Sequence, residues 1–516
     1  MEALIAIVDF FRSTYDVAQG IVAVVAVLLL MSGIDDLFLD LYYWFFRIVY
    51  PKKINRYRLE DPALLKATEE KPIAMFIPAW HEYDVIDKML LNACRTIDYA
   101  NYDIFVGVYP NDPRTVAKVE EVALQYPHVH AVLTGHEGPS TKADNLNDLF
   151  QGLIRHENTT GKRYEIVVMH DAEDIIHPMS LKIHNYFIPK YDMVQLPVFP
   201  LAAPSSRIVH WTYADEFAEN HSKDMVTRQL YSSFIPSAGV GTGYNRWLIE
   251  FAGTSFARNI FRKSSLTEDY DIALRLAMGK ANLLYLYRPF DINVCTQAYF
   301  PDRFWAAIRQ KTRWLIGICL QSWKNVGWIG DFKFRFTLYR DRKALVTNIV
   351  NALAYFVFLY VLMYELARLG YAGDGLLPPL VSTTSPIWPV IVVNTGLMFW
   401  RFFHRALSVG RIYGWVQGLL SILRFPIGNL INSYATARGI SQFATATLHD
   451  RTVQWDKTSH TFPSDHLAQS GQAPVASELE TSYHTPDYDQ WPARKRQRKS
   501  STPTTKKHSV SSSETS

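Results

Sequence analysis

The segment VVMHDAEDIIHP, residues 167–178, passes from a run of apolar residues directly into a cluster of titratable side chains. Asp171 and Glu173 are separated by one residue, so both carboxylates can point the same way from the end of a strand. Carboxylate oxygens suit Mg²⁺ or Mn²⁺, which proteins usually hold with one or two carboxylates together with substrate phosphates. An acidic surface turn is the alternative, and the pair by itself is compatible with both.

A second acidic group lies in SSLTEDYDIALRLAMG, residues 264–279. Thr267 is placed to cap a helix that carries Glu268 and Asp269 in its first turn. Acids at this position also favour the helix dipole without any catalytic role. The functional interpretation makes Asp269 a general base, which removes a proton from an attacking hydroxyl.

An aromatic-rich helix is predicted over residues 304–323, and it carries Gln310, Arg313 and Trp314. Arg313 is a candidate to face a diphosphate, and Trp314 offers a flat face to a sugar ring. The same mixture of aromatic and basic residues is typical of an amphipathic helix at a membrane surface. The sequence agrees with both interpretations.

Strands and helices alternate in the region that precedes these two elements. The predicted strands cover 72–79, 102–112, 129–135 and 164–174. Such alternation predicts an α/β fold with a parallel sheet and helices on both faces. Ligands of these sheets collect at the carboxyl ends of the strands. Three of the four strands end there on polar groups, at Trp80–Glu82, Asn111–Asp112 and Asp171–Asp174, so we expect these groups to share one edge.

Several apolar stretches are candidates to cross a membrane. Residues 17–33 contain no charge and have about the length that a bilayer requires. Because no cleavage-site pattern follows, we predict an uncleaved anchor rather than a secretory signal. Further spans are predicted at 350–363 and 387–403, whereas Arg424 and Pro426 interrupt 415–431. This last stretch is therefore predicted to be an interfacial or re-entrant helix.

Basic residues lie beside the first two spans on the side of the long segment between them. They are Lys52, Lys53, Arg56, Arg58, Arg340, Arg342 and Lys343. Lys and Arg next to spans favour the cytoplasmic side, so the segment from about 51 to 343 is predicted to be cytoplasmic.

Composition excludes some classes of protein. The three cysteines, Cys94, Cys295 and Cys319, are far apart and odd in number, which excludes a disulfide framework and favours a reducing compartment. A net charge of +4 over 516 residues does not indicate a nucleic-acid partner. After about residue 450 the chain becomes rich in Ser, Thr and Pro and poor in aliphatic residues, which predicts a disordered tail over 450–516.

Seven ordered motifs between residues 70 and 325 resemble the family-2 glycosyltransferases. The likeness is greatest to the membrane-embedded group that includes cellulose and hyaluronan synthases. The motifs are IPAWHE (77–82), VYPND (108–112), TKADNLN (141–147), DAED (171–174), FAGTSFARN (251–259), TED (267–269) and QKTRW (310–314). Short stretches such as LRFPIGNLIN are most similar to bacterial inner-membrane transferases, in which membrane helices follow the catalytic part.

The resemblance implies a role for each matching position. Nucleotide-sugar binding falls on Pro78, Glu82, Asp112, Lys142 and Asp171. Metal binding, to Mg²⁺ or Mn²⁺, falls on Asp171 and Glu173, with Glu173 where the family commonly has Asp. Acceptor binding falls on Gly253, Thr254 and Trp314. Catalysis falls on Asp269 as the base, with Glu268, Gln310, Arg313 and Trp314.

The resemblance also implies an architecture. A GT-A-like, mostly parallel sheet with flanking helices is expected between transmembrane helices. The expected divisions are a transmembrane and interfacial helix at 1–50, a cytoplasmic catalytic domain at 51–300, interfacial helices at 301–343, membrane helices at 344–436 and the tail at 450–516.

The implied activity is an inverting transfer from a nucleotide-sugar, most simply a UDP-sugar, to a growing glycan at a bacterial inner membrane. The Gln-x-x-Arg-Trp motif accompanies processive members of the family. Two alternatives stay open: transfer of a single sugar to a polyprenyl or other lipid phosphate, and an inactive membrane scaffold of a glycan export complex. Expected partners are the donor, a glycan or lipid-linked acceptor, membrane lipids, and an export partner or a second copy of the chain.

Overall fold

The computed structural model describes residues 2–59, 61, 63–232, 234–255, 260–290, 293–370, 377–449, 451 and 462, with the backbone alone for 2–5 and 252–255. The tail predicted over 450–516 therefore lies outside the described residues, apart from Arg451 and Phe462.

A seven-stranded sheet forms the centre of the fold, in the order β3-β2-β1-β4-β8-β6-β9. Its strands are β1 Ile73–Pro78, β2 Tyr102–Val108, β3 Val129–Leu133, β4 Ile166–Met169, β6 Met193–Gln195, β8 Thr242–Asn245 and β9 Leu283–Tyr285. Every pairing is parallel except those of β8, which runs antiparallel to both β4 and β6. The predicted α/β class with a mostly parallel sheet is confirmed.

A second, three-stranded sheet has the order β5-β10-β7. Its strands are β5 Ile175–Ile176, β7 Val198–Pro200 and β10 Thr296–Ala298.

The helices follow the strands in the alternation that the sequence predicts. Up to the end of the large sheet they are α1 Glu2–Val49, α2 Pro51–Ile54, α3 Ala63–Lys66, α4 Ile86–Thr96, α5 Pro113–Gln125, α6 Lys142–Thr160, α7 Ser180–Phe187, α8 Ile208–Glu219, α9 Met225–Tyr231, α10 Arg246–Ser255 and α11 Glu268–Met278. The later helices are α12 Phe304–Leu315, α13 Ser322–Val326, α14 Phe332–Arg342, α15 Ala344–Gly370, α16 Trp388–Tyr413 and α17 Trp415–Leu448. Two π-helical segments, Asn220–Asp224 and Ile316–Gln321, continue α8 and α12.

The central strands read as continuous apolar runs because both faces of the sheet are covered. All seven residues of β2 are buried, and so are the first five of β1. Strands of this kind lose the alternation of apolar and polar residues that marks a half-exposed sheet. On one face the core includes Phe76, Phe105, Leu146 and Tyr244, so β1, β2, α6 and β8 pack around a common apolar centre.

Two helices are long and apolar enough to cross a membrane, judged by length and composition. They are the stretch Ala6–Val49 of α1 and the whole of α15. The predicted anchor at 17–33 and the predicted span at 350–363 fall inside them. Residues 387–403 lie in α16, which is not among the described helices that meet this standard, and the third span stays a prediction.

The stretch 415–431, predicted to be an interfacial or re-entrant helix, is the first half of α17, which runs unbroken through Pro426 to Leu448. Its position relative to a membrane stays a prediction. Arg424 does not interrupt an apolar surface here. Its guanidinium donates to both oxygens of the buried Asp215 on α8, at 2.8 and 2.7 Å. Arg424, which looks like a break in an apolar stretch of the sequence, thus lies on the face by which α17 packs on α8.

Candidate active site

The carboxyl ends of β2, β1 and β4 lie side by side. Their main-chain ladder continues past the strands, since Ala79 N–H donates to Gly107 O at 2.9 Å and His170 N–H donates to Phe76 O at 3.0 Å. The polar groups that follow these strands therefore emerge along one edge. The strands β2 and β4, which precede Asp112 and Asp171, are two positions apart in the sheet, which corresponds to about 10 Å between the strands.

Asp112 is buried and anchors the turn after β1. Its Oδ2 accepts from His81 N–H at 2.7 Å, and it is the N-cap residue of α5, where Oδ1 accepts from Thr115 N–H at 3.4 Å. Glu82, also buried, donates its backbone N–H to Thr115 Oγ1 at 3.1 Å. Pro78 is the last residue of β1. These predicted nucleotide-side residues thus form one connected turn.

Aromatic rings flank this turn. Trp80 packs against Tyr109 with ring centroids 4.9 Å apart. Asn111 is hydrogen-bonded to Gly138 in both directions, with its amide donating at 2.7 Å and its carbonyl accepting at 2.8 Å. The loop after β3 is therefore held against the loops after β1 and β2, which gives this end of the site an aromatic wall.

Lys142 joins two acidic segments that are far apart in the sequence. It is the first residue of α6, where Thr141 caps the helix by accepting from Asp144 N–H at 3.2 Å. Its ammonium contacts the Asp171 carboxylate, and it lies 3.9 Å from Glu268 Oε1. The segment after β4 and the first turn of α11 therefore share one cation.

The first turn of α11 is buried and strongly acidic. Burial raises the pKa of the Glu268 carboxyl to about 7, and the neighbouring carboxylates of Asp269 and Asp171 add to this shift. Burial likewise raises the pKa of Asp269 above its ordinary value, although Lys142 opposes the change. A carboxylate with a raised pKa is a better proton acceptor, which is the property that a general base requires.

The segment 171–174 divides its carboxylates between two tasks. Asp174 turns inward, where its Oδ2 accepts from Asp171 N–H at 3.0 Å and lies 2.9 Å from Nδ1 of the buried His170. Glu173 is 9% exposed, whereas the side chain of Asp171 is 35% exposed. Asp174 is thus engaged in holding the turn, and Asp171 is the more accessible carboxylate.

The donor set at this edge fits Mg²⁺ or Mn²⁺. Asp171 and Glu173 offer hard carboxylate oxygens, which such ions prefer. Within the described part of the chain, Lys142 is the cation that acts on Asp171, Glu268 and Asp269, so negative charge exceeds positive charge among these four residues. A divalent cation would reduce this excess.

The sequence interpretation missed the glycine that lies against the candidate base. A Cβ placed on Gly239 would lie 2.8 Å from Asp269 Oδ2, and the residue has a φ of 77°. The buried Gln195 holds this loop, because its Oε1 accepts from Ala238 N–H at 2.7 Å and from Thr242 Oγ1 at 2.6 Å. The signal was the glycine-rich run SAGVGTG at 237–243.

The predicted Gly-Thr acceptor loop corresponds to a different kind of structure. Gly253 and Thr254 are helical residues near the end of α10, their side chains lie outside the described set, and so do residues 256–259. The chain contains the Gly-Thr pair twice, and Gly241–Thr242 follows directly on the loop that contacts Asp269. The sequence pattern alone does not distinguish the two copies.

The helix α12 carries Gln310, Arg313 and Trp314. Trp314 packs against the aromatic residues of α8, with ring centroids 5.9 Å from Tyr213 and 6.1 Å from Phe217. Arg313 lies near Tyr213, and Gln310 Oε1 is a buried oxygen without a hydrogen-bond partner among the described residues.

The π-helical continuation of α12 contacts the acidic turn. A Cβ on Gly317 would lie 2.2 Å from Thr267 Oγ1, so the two segments are in close contact. Gln321 accepts from Leu266 N–H at 2.9 Å and donates to Ser264 O at 3.0 Å. Through these contacts α12 is fixed relative to Glu268 and Asp269. Thr267 occupies the N-cap position of α11, as predicted, but its side chain makes no capping hydrogen bond.

A cavity of about 340 Å³ lies at the opposite end of the sheet, near the start of β4. Its lining includes Lys71, Tyr164, Arg246 and Trp247 and contains none of the predicted site residues. The acidic cluster around Lys142 is therefore separate from this cavity.

Comparison with known proteins gives the following matches. The model of the family "Glycosyltransferase like family 2" matches residues 71–317. Bacteriophage adsorption protein B of Escherichia coli K12 is 36% identical over 480 residues, which cover 89% of this chain and 64% of that protein. Bacteriophage N4 adsorption protein B of E. coli O157:H7 gives the same values. The chain thus spans less than two thirds of the length of these relatives.

Among solved structures, this chain is similar to a mannosyltransferase from Pyrobaculum calidifontis in complex with GDP-Man and Mn²⁺. The aligned region covers 78% of this chain and 98% of the mannosyltransferase. It is 17% identical, with a TM-score of 0.46.

Proposed function

We propose that the chain, whose residues 71–317 match the family "Glycosyltransferase like family 2", transfers a sugar from a nucleotide-sugar to a glycan acceptor with inversion at the anomeric carbon. The observation that carries the proposal is the position of Lys142, whose ammonium contacts Asp171 and lies 3.9 Å from Glu268. The transfer requires the donor diphosphate and the acceptor hydroxyl to lie next to each other. Lys142 joins the donor-side residue Asp171 to the acidic turn that carries the proposed base.

On the donor side, Lys142 binds the diphosphate and stabilises the negative charge that develops as it leaves. Asp171 and Glu173 would hold Mg²⁺ or Mn²⁺, which supplies Lewis-acid stabilisation of the same charge. The turn that contains Pro78, Glu82 and Asp112 binds the nucleoside. The position of this turn on the same edge of the sheet as Asp171 supports the assignment, because a bound nucleotide-sugar has to reach from the nucleoside site to the diphosphate site.

On the acceptor side, Asp269 removes the proton from the acceptor hydroxyl, which attacks the anomeric carbon from the face opposite the diphosphate. The raised pKa of Asp269 supports its role as the base. Arg313 and Gln310 contribute polar contacts, and Trp314 an aromatic face, at the acceptor end. We retain Gly253 and Thr254 as acceptor-binding candidates, together with Gly239 because it lies against Asp269.

We further propose that the donor is a UDP-sugar, that addition is processive, and that the product is a cell-surface glycan. The names of the relatives, which describe adsorption of bacteriophages, support a surface location. The two candidate spans support attachment to the bacterial inner membrane, with residues 51–300 as a cytoplasmic catalytic domain and 301–343 as interfacial helices. An export partner or a second copy of the chain would complete the assembly.

The direct test uses the full chain in detergent with a panel of labelled nucleotide-sugars. We expect nucleotide release from one donor in the presence of Mg²⁺ or Mn²⁺, and loss of that release in Asp269→Asn. Asp271→Asn is the matched control, because this carboxylate lies on the same helix but is bound to Arg275 at 2.8 Å. Equal turnover by Asp269→Asn and the wild type would overturn the proposed base.

The size of the product separates the remaining alternatives. A polymer indicates processive synthesis, whereas a single labelled sugar that extracts into organic solvent indicates transfer to a lipid phosphate. Turnover with none of the donors, together with a fully glycosylated surface in a strain that carries Asp269→Asn, would identify the chain as a scaffold.

A further inference from the structure

The amino ends of β2 and β3 carry a second cluster of chemically active side chains, far from the candidate active site. Asp103 and His130 are each the second residue of their strand, and Phe105 pairs with His130 in the sheet register. Since residues i and i+2 of a strand share a face, Asp103 and His130 both point to the side that α6 covers. The length of β2 places this cluster about 20 Å from the opposite edge of the sheet.

The third member of the cluster comes from α6. His156 packs against His130 with ring centroids 4.4 Å apart, and against Phe105 at 5.3 Å. One ligand atom from each of Asp103, His130 and His156 can be chosen so that all three lie within 4.8 Å of one another. Asp103 Oδ1 and His130 Nε2 are 2.8 Å apart. Two elements of the sheet and one covering helix thus bring two imidazoles and one carboxylate to a single point.

Neighbouring groups fix the orientation of the carboxylate. Asp103 Oδ2 accepts from Lys162 Nζ at 2.6 Å and from the hydroxyl of the buried Tyr164 at 2.8 Å. These contacts hold Oδ2, so Oδ1 is the oxygen that faces the imidazoles. Metal-binding carboxylates are commonly held in this way by hydrogen bonds to the oxygen that does not bind the metal.

We propose that Asp103, His130 and His156 form a binding site for a transition-metal ion of the Zn²⁺ type, separate from the site for the donor's cation. Two imidazoles and a carboxylate suit Zn²⁺ and its neighbours in the first transition series, whereas Mg²⁺ and Mn²⁺ prefer sites built from oxygen atoms. The His130 side chain is 24% exposed, which gives an ion access from solvent.

Lys162 provides a way to distinguish a metal site from a structural ion pair. Its ammonium neutralises Asp103 and so competes with a cation for the negative charge. Lys162→Met therefore strengthens binding of a metal ion, whereas the same change would only weaken a cluster that is held together by its ion pairs. Tyr164→Phe removes one support of the carboxylate, and such changes typically lower metal affinity by about tenfold or more.

The test is a titration of the full, detergent-purified chain with Co²⁺, after removal of any affinity tag and in excess Mg²⁺ to occupy sites made of oxygen ligands. Co²⁺ in a tetrahedral site with nitrogen ligands gives an intense visible absorption, which reports the ligand set without reference to activity. We expect this signal to saturate at one equivalent in the wild type and to be lost in His130→Gln and in His156→Gln. Zn²⁺ should displace Co²⁺ and raise the thermal unfolding midpoint.

His128→Gln is the matched control, because His128 belongs to the same edge of the sheet but its Nε2 lies 3.5 Å from Cys94 Sγ. This variant should bind Co²⁺ as the wild type does. His156→Gln is the more informative of the two cluster variants if His130→Gln fails to fold, since the described contacts of His156 are ring packings. The proposal is overturned if the wild type gives no saturable signal, if His156→Gln retains it, or if His128→Gln loses it as well.

Discussion

At the scale of single residues, the proposed reaction depends on the Lys142 ammonium, which contacts Asp171 and lies 3.9 Å from Glu268. Lys142→Met removes the cation that faces Asp171, Glu268 and Asp269. We expect turnover to fall about 100-fold, which is the usual loss when a group that stabilises developing charge is removed. The measurement is nucleotide release at saturating donor.

The control for this change is Lys118→Met. Lys118 is a surface lysine on α5 that pairs with Asp87 at 3.2 Å, outside the acidic cluster. The Lys118→Met variant should therefore have the turnover of the wild type. If Lys142→Met released nucleotide as fast as the control variant, Lys142 would have no part in stabilising the leaving group.

The buried carboxyl of Glu268 gives the stability of the protein a defined dependence on pH. Burial raises its pKa from 4.5 to about 7, so the folded protein keeps this proton up to about pH 7 while the unfolded chain releases it near pH 4.5. In that interval the folded state binds more protons, and the free energy of unfolding therefore falls as the pH rises. Glu268→Gln should remove this decline, as measured by the unfolding midpoint from pH 4.5 to 8.

The comparison variant for the pH experiment is Glu120→Gln, which changes an exposed carboxyl on α5. Its midpoint should follow the wild type across the whole range. A decline that is equally steep in Glu268→Gln would assign the effect to other groups.

At the scale of elements, the loop 237–241 positions the candidate base through a glycine. Gly239→Ala both strains the backbone at a φ of 77° and brings a methyl group to 2.8 Å from Asp269 Oδ2. We expect a loss of stability of about 1–2 kcal/mol from the left-handed conformation. We also expect turnover to fall about 100-fold, because a displacement of about 1 Å at a reacting group has an effect of that size.

Gly161→Ala separates these two effects. Gly161 ends α6 with a φ of 72°, and a Cβ added there meets nothing within 4 Å. Gly161→Ala therefore strains the backbone about as much as Gly239→Ala does, but its methyl group does not contact the candidate active site. Nucleotide release per folded molecule should fall only in Gly239→Ala; equal turnover in the two variants would show that Gly239 serves the fold alone.

The first four strands and the helices between them could be predicted from the sequence, because each is marked by a local pattern of apolar residues. The strand β8 could not. It is four residues long and lies antiparallel between β4 and β6, a pairing that depends on contacts far apart in the chain. The same limit explains why Gly239 was missed, since only the folded chain shows that it adjoins Asp269.

Side-chain partners across the fold were the other feature that the sequence did not reveal. The sequence predicts Asp171 as a metal and donor ligand and Asp269 as the base, but Lys142 as the group between them follows only from the structure. Arg424 gives a second example, because a charge inside an apolar stretch looks like an interruption until Asp215 is found opposite it. Motifs identify residue types, whereas the partners of each charge depend on tertiary packing.

At the scale of the whole molecule, ion pairs join the candidate anchor α1 to the rest of the chain. Asp35 and Asp36 on α1 face Arg340 on α14, Lys343 just after it, and Arg401 on α16. Lys223 pairs with Asp40 of α1 at 2.5 Å, and Arg405 of α16 pairs with Glu219 of α8 at 2.7 Å. The α/β domain is thereby tied to the long helices α1 and α16 through charges that are largely hidden from solvent.

Asp36→Asn tests this connection. The Asp36 side chain is 14% exposed and is shared by Arg340, Lys343 and Arg401, so its removal leaves three cations without their common partner. Loss of one member of a buried ionic group costs about 3–5 kcal/mol. We expect the free energy of unfolding, measured by tryptophan fluorescence in detergent, to fall by this amount.

A second substitution separates a network from a set of independent pairs. In a network, the cations destabilise the protein once Asp36 is neutral, so adding Arg401→Gln to Asp36→Asn should restore part of the lost free energy of unfolding. If the pairs are independent, the losses of the two substitutions should add instead. Asp9→Asn, an exposed carboxylate on the same helix, should change little. Because the acidic cluster around Lys142 involves none of these residues, turnover per folded molecule on a soluble acceptor should persist. A variant that is as stable as the wild type would show that the ion pairs of Asp36 contribute no net stability.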